Sequence, residues 1–184
     1  MKTDMRIRHF RAGDITSIAA IQQVAAEFDQ RPTQTKEEFM DWFLAPANDV
    51  LANAFVMTDD DDELLTWGQA GTLEGIEGEI VAYTLLQYSQ DSDGYHLRCL
   101  GAVHPEHRHR GAGRALLVGA LNRARVLALD FEFEAEAEGI PVYFEVLLPL
   151  ADAGALQLAN KFDLQAVNQS NIYGMQLYRA VLWE

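Results

Sequence analysis

With 184 residues, 49% of them hydrophobic and 10% aromatic, the chain is long enough to bury one sizeable core and too apolar to be disordered. Its 28 acidic residues against 14 basic ones give a net charge of −14, which argues against nucleic acid or an anionic membrane as the main partner. No apolar run approaches the roughly 20 residues of a bilayer span, the start MKTDMRIRHFRAGD has no signal-like segment, and a single cysteine, Cys99, excludes an internal disulfide; a cytoplasmic protein with one domain over residues 1–184 is expected.

Met5 to Phe10 alternates and predicts a first strand. Asp14 stands as an N-cap before Ile15, Ile18, Ile21, Val24, Ala25 and Phe28 at helical spacing. Pro32 breaks this helix, and Thr35 with Glu38 forms a capping box for a second one carrying Phe39, Trp42 and Phe43. At that spacing the three aromatics read as core, with an acceptor pocket as the alternative. Ala54 to Met57 predicts a short strand running into the acidic run Asp59 to Glu63. Gly68, Gly71, Gly75 and Gly78 then suggest a long or irregular hairpin connection.

Strands are expected at Glu79–Tyr88 and, after a turn at Asp91–Gly94, at Tyr95–Val103. A long helix runs from Gly111 to about Leu129, and the acidic stretch 130–139 reads as its end plus a solvated loop. Pro141 to Leu148 is nearly continuously apolar, as in a strand covered on both faces. Asp152 caps a helix through Leu158 and Phe162, and two short strands, around Leu164–Val167 and Ile172–Tyr178, follow. The order is βααβββαβαββ, a mixed α/β (α+β) domain.

The chemistry concentrates between Leu97 and Leu129, where a strand ends in His104-Pro105 and a basic, glycine-bearing loop opens a helix at Gly111-Ala112-Gly113. Free amides and the helix dipole meet there, so a phosphate or pyrophosphate group suits it. A dinucleotide turn fits less well, because the third glycine position of G-x-G-x-x-G is Leu116. A zinc site from His104, His107 and His109 lacks a usual spacing and a further ligand, so no metal is expected.

The segment VHPEHRHRGAGRALL resembles the acyl-CoA-binding motif of the GNAT acetyltransferase superfamily, Q/R-x-x-G-x-G/A after a strand. Arg108-His109-Arg110-Gly111-Ala112-Gly113 supplies the match, and the element order along nearly the whole chain is also similar. The resemblance implies the GNAT fold, a mixed central sheet with splayed parallel strands and flanking helices, and acetyl-CoA or another acyl-CoA as co-substrate. It places the CoA pyrophosphate on the amides of His109, Arg110, Gly111, Ala112, Gly113 and Arg114. It also places the pantetheine arm beside Gly101, Ala102 and Val103, where one amide would act as an oxyanion donor.

A second family motif, N-x-x-A-x-x-L-Y-x-K-x-G-F, aligns with Asp152 to Leu164. Asp152 replaces its Asn, an exchange that keeps a helix cap. Ala159 stands where many members carry a Tyr that protonates the departing thiolate, and Asp163-Leu164 replaces Gly-Phe. Tyr173 and Tyr178 are substitutes for that Tyr or simply packed residues. Glu145 matches the Glu that the family often uses as a general base; burial would raise its pKa toward a useful range. The alternative is a carboxylate paired with an arginine at the sheet surface. His96 and Tyr95 are weaker candidates, and Cys99 reads as a small buried hydrophobe.

The resemblance thus implies acetyl transfer to a small-molecule or peptide amine by direct attack in a ternary complex. The other reading is a catalytically silent acyl-CoA-binding domain, a sensor or one lobe of a larger assembly such as the tandem-GNAT mycothiol synthases. A homodimer is compatible with either.

Overall fold

A computed structural model describes residues 5–59, 78–168 and 173–183. Among these residues, seven strands form one sheet in the order β1-β2-β3-β4-β5-β7-β6: β1 Met5–His9, β2 Ala54–Asp59, β3 Glu79–Gln90, β4 Tyr95–Val103, β5 Val142–Pro149, β6 Gln165–Ala166 and β7 Met175–Trp183. All neighbours are antiparallel except β4 and β5. The helices are α1 Ile15–Phe28, α2 Lys36–Phe43, a one-turn α3 Val50–Asn53, α4 Ala112–Glu138 and α5 Ala153–Lys161. Apart from α3, this is the order expected from the sequence. Residues 60–63 of the acidic run, the glycine-punctuated 60–77 stretch and Ile172 lie outside the described residues.

Alternation along β3 divides the core. Tyr83 and Leu85 pack with Ile18, Ile21, Phe39 and Phe43 of α1 and α2, whereas Leu86, one residue out of phase, joins Leu117, Ala120 and Ala124 of α4. The two helical layers therefore cover opposite faces of the sheet. Phe39 and Phe43 are buried among Phe10 and Tyr83, so the aromatic stripe of α2 is core. The capping box forms as expected, with Glu38 N donating to Thr35 Oγ1 at 3.2 Å and Thr35 N to Glu38 Oε2 at 2.9 Å. Asn48 then ties the end of α2 to the sheet: its Nδ2 donates to the carbonyls of Trp42 and Phe43, and its Oδ1 accepts from Gln87 Nε2.

Three expectations are corrected. Asp14 does not cap α1 with its side chain; its carboxylate accepts from Arg11 N at 2.7 Å, inside a 3-10 turn, and pairs with Arg8 at 2.7 and 2.9 Å. The acidic 130–138 stretch is helix rather than loop. Phe131 stacks on Tyr88 at 4.5 Å, Ala135 is buried, and the helix stops at Gly139, whose φ of +65° suits the left-handed cap. The last strand begins at Met175 and reaches Trp183, paired with β5 over most of its length.

The parallel pairing that positions the site is short. β4 and β5 are in register from Tyr95↔Val142 to Cys99↔Val146 and no further, so Leu100–Val103 and Leu147–Pro149 splay apart. On its other side β4 stays paired with β3 through Val103. Gly101 permits that contact: a Cβ there would clash with the Tyr83 carbonyl oxygen, a backbone atom. Gly101→Ala is therefore expected to cost about 1–3 kcal/mol, as overpacking does, and to lower the denaturation midpoint; a midpoint equal to wild type would show that the two strands can separate freely.

Candidate active site

A cleft of about 480 Å³ opens where β4 and β5 part, and it runs from the splayed strands to the start of α4. It brings together Gly101, Ala102, Val103, Arg108, His109, Gly111, Gly113, Arg114 and Asp152. Two residues of the loop turn their side chains elsewhere, which leaves the expectation for their amides untouched. The Arg110 side chain reaches Asp59 at 3.1 Å and His107 Nδ1 at 2.9 Å, away from the cleft. Ala112 is buried against Val81 and Leu116.

The local chain geometry explains the cradle. His109 (φ +61°) and Gly111 (φ +98°) take left-handed conformations, and nothing lies within 4 Å of a Cβ built on Gly111. Gly111 is the N-cap of α4, and no side chain caps the amides behind it; the first of these engaged within the helix is Ala115 N, which donates to Gly111 O at 3.0 Å. Unclaimed amides at the positive end of a 27-residue helix, beside open space, are chemically suited to an anion. Arg114 and Lys161 line the same cleft.

Arg108 serves the walls rather than the open space. Its guanidinium forks onto Asp29 (Nη1–Oδ1 2.6 Å, Nη2–Oδ2 3.0 Å), its Nε donates to Val103 O at 3.2 Å, and it lies over the Phe28 ring. It thereby fastens the end of α1 to the β4–α4 loop. Asp152 caps α5 by accepting from Gly154 N at 2.8 Å, and it stands 3.7 Å from Arg108. Asp29 and Arg31, just past α1, also line the cleft. Neither belongs to the motif, and the only hint of them in the sequence is an acid–base pair just after a helix end.

The expected upward shift of Glu145 is overturned. The residue is fully buried, and burial does push its pKa up. Hydrogen bonds and charge from Arg179 and Arg98, with help from His96, outweigh that and hold the carboxyl below the usual range. Oε2 accepts from Arg98 Nε and Nη2 (3.0 and 2.8 Å), and Oε1 accepts from Arg179 Nε and Nη2 (2.9 and 2.7 Å) and faces His96 Nδ1 at 3.0 Å. His96 in turn meets Asp91 at 3.1 Å, Arg179 meets Asp93 at 2.8 Å and covers the Tyr143 ring. This network is the arginine-paired alternative, sunk into the sheet, and Glu145 is not among the residues lining the cleft.

Tyr178 packs in the core with Val146 and Ala159, Tyr173 is exposed, and Ala159 is fully enclosed. Tyr95 is likewise core. Tyr83 lines the cleft but donates its hydroxyl to Gln22 Oε1 at 2.6 Å, and burial raises its pKa. Cys99, also at the cleft, sits 3.0 Å from Thr84 Oγ1, and burial pushes its thiol up to about 11. At pH 8 it should react with a disulfide reagent about 100-fold more slowly than an unperturbed thiol; equal rates in native and denatured protein would refute this environment. Among the described residues, no group of three or more His, Cys, Asp or Glu could hold a metal, and no helix is long and apolar enough to cross a membrane.

Comparison with known proteins places this architecture. No curated protein matches the sequence. Among solved structures, a GCN5-related N-acetyltransferase from Sphaerobacter thermophilus is 18% identical with a TM-score of 0.59; the match covers 89% of this chain, which spans only 44% of that protein. YncA of Salmonella typhimurium, a putative acetyltransferase determined with its cofactor acetyl-CoA, is 17% identical over 98% of this chain and 95% of its own, with a TM-score of 0.60. An N-acetyltransferase from Staphylococcus aureus Mu50 is 16% identical, covering 98% and 99%, with a TM-score of 0.62. These likenesses establish the fold. The Acetyltransferase (GNAT) family matches residues 23–138, well over half of the sequence and all of α4, and the chain belongs to that family.

Proposed function

We propose that the chain is an acyl-CoA-dependent N-acyltransferase that moves an acetyl group from acetyl-CoA to an amine by direct attack in a ternary complex. One observation carries this reading: the gap between β4 and β5 opens onto the uncapped, glycine-led start of α4. Acetyl-CoA, when bound, supplies the activated acetyl thioester. The amides of residues 109–114 would hold its pyrophosphate, with Arg114 and Lys161 adding charge, while Arg108 and Asp152 position the loop and α5 around it. The strand backbone at Gly101, Ala102 and Val103 would receive the extended arm, and an amide near Val103 would donate to the developing oxyanion. Holding the amine against the carbonyl supplies much of the rate.

Glu145 is assigned a positioning role, as the anion that holds Arg98 and Arg179 in the sheet, and not that of general base: its oxygens are already engaged and its pKa is lowered. The absence of a tyrosine at position 159 is tolerable because a thiol ionises near pH 8.5, so its thiolate leaves readily without a proton donor. The second reading, a silent acyl-CoA-binding domain, is favoured by the packing of Tyr178 in the core rather than at the cleft.

Calorimetric titration with acetyl-CoA, with NADH as comparison, tests the site. Micromolar binding of acetyl-CoA and no response to NADH is expected; no binding of acetyl-CoA would refute the assignment. An amine panel followed by free-thiol release then separates the enzyme from the silent domain.

A further inference from the structure

We infer that the acceptor amine carries a carboxylate and that Arg31 receives it, an inference that rests on the acyltransferase reading above. Arg31 follows α1 closely, with its backbone fixed by Arg31 N donating to Ala26 O at 2.8 Å. Its side chain is only 11% exposed, and its Nε is, among the described residues, the one buried side-chain nitrogen or oxygen without a hydrogen-bond partner. The nearest anion is Asp29, whose Oδ2 lies 3.5 Å from that Nε. Asp29 cannot turn further toward it, because the Arg108 fork already engages both of its oxygens. A cation is therefore held in place by attraction to Asp29 while its Nε donor remains unspent.

Buried donors of this kind are costly unless something completes them. The setting says what would. Arg31 lines the cleft together with Tyr83, Thr84 and Met175, and its Cγ lies 3.2 Å from where a Cβ on Gly174 would stand, in the turn that leads into β7. Arg31 thus approaches the cleft from the end of α1 and the turn before β7, whereas Gly111, Gly113 and Arg114 belong to the β4–α4 loop and the start of α4, the side proposed above for phosphate. Of the cations lining the cleft, Arg108 is engaged by Asp29, and Arg114 and Lys161 are those proposed for the phosphates, which leaves Arg31 as the charge offered to an acceptor. A polyamine would meet repulsion there, and a neutral amine would leave the guanidinium unsatisfied. A carboxylate matches the planar fork two bonds at a time.

The test compares acids with their amides. Wild-type protein in the presence of CoA is titrated with N-acetylglycine, N-acetylmethionine and N-acetylphenylalanine, and with the N-methylamide of each. For the best-binding member, the acid is expected to bind at least about ten-fold more tightly than its amide. In Arg31→Gln this ratio should fall to about one, with acetyl-CoA affinity unchanged, and Arg31→Lys should keep part of it. Equal binding of acids and amides by wild type would overturn the inference whether or not the variants fold. A ratio that survives Arg31→Gln, weaker acetyl-CoA binding in that variant, or tighter binding of phosphoethanolamine than of any acid would also overturn it. If acetyl-CoA itself fails to bind wild type, the acyltransferase reading falls separately, and the acid–amide comparison on the protein alone still decides the role of Arg31.

Discussion

Replacing Glu145 by alanine is expected to destabilise the protein by about 3–5 kcal/mol, because it strips two arginines of their shared buried counter-ion. For a chain of this length that corresponds to a fall in melting temperature of about 6–20 °C. Glu145→Gln keeps the shape and one acceptor, and should lose less. The pH dependence follows from the direction of the shift. A carboxyl held below its ordinary value of 4.5 contributes stability that is fully present above that pH and is lost as the pH falls through the lower, folded value. The gap in melting temperature between wild type and Glu145→Ala should thus be constant from pH 8 to about 5 and narrow in more acid solution. Thermal melts across this range, with the pH dependence of turnover on the same samples, make the check. A Glu145→Gln protein of unchanged melting temperature that has lost turnover would restore the carboxylate as general base.

Gly111→Val is expected to abolish acetyl-CoA binding at ordinary concentrations. A β-branched residue at φ +98° is strained by about 1–3 kcal/mol, and its methyl groups would occupy the space in front of the helix amides. The strain is present with and without ligand, so the loss of affinity comes from the blocked donors: two hydrogen bonds to a charged group, at about 1.5–3 kcal/mol each, correspond to a fall of roughly 100-fold or more. Calorimetry reads this directly, and Gly111→Ala should fall between the two proteins. Wild-type affinity in Gly111→Val would remove the phosphate from this loop altogether.

Most of the fold could be read from the residues because the signals are local. The Thr35–Glu38 box, the alternation of Met5–Phe10 and the Asp152 cap each involve partners three or fewer residues apart, or a strand's own period. The acidic tail of α4 misled because acids at every second position look like a solvated loop. The decisive partners of that tail, Tyr88 and Tyr95 against Phe131, are more than 35 residues away in sequence. The site divides in the same way. The glycine cradle was legible, since it depends on backbone freedom within six residues. The clamp from Arg108 to Asp29 spans 79 residues, and the partners that hold Glu145 lie 34 to 49 residues from it. Nothing in the local pattern distinguishes a carboxylate that will sit alone from one that will meet two arginines.

The short pairing of β4 with β5 has a consequence for solubility. Beyond Cys99, the sheet contains two edge strands in its middle, and exposed edges are where chains join one another into aggregates. Here the free edges face each other across a cleft floored by α4 and α5, with Leu116, Leu117, Ala155 and Leu158 among the residues lining it. A neighbouring protein's strand would have to thread between two strands of a finished sheet to use them. A slender, extended ligand arm need not, and it can add itself as a partial strand. The break in the sheet thus offers its hydrogen bonds selectively, by width, to a small molecule and not to another copy of the chain.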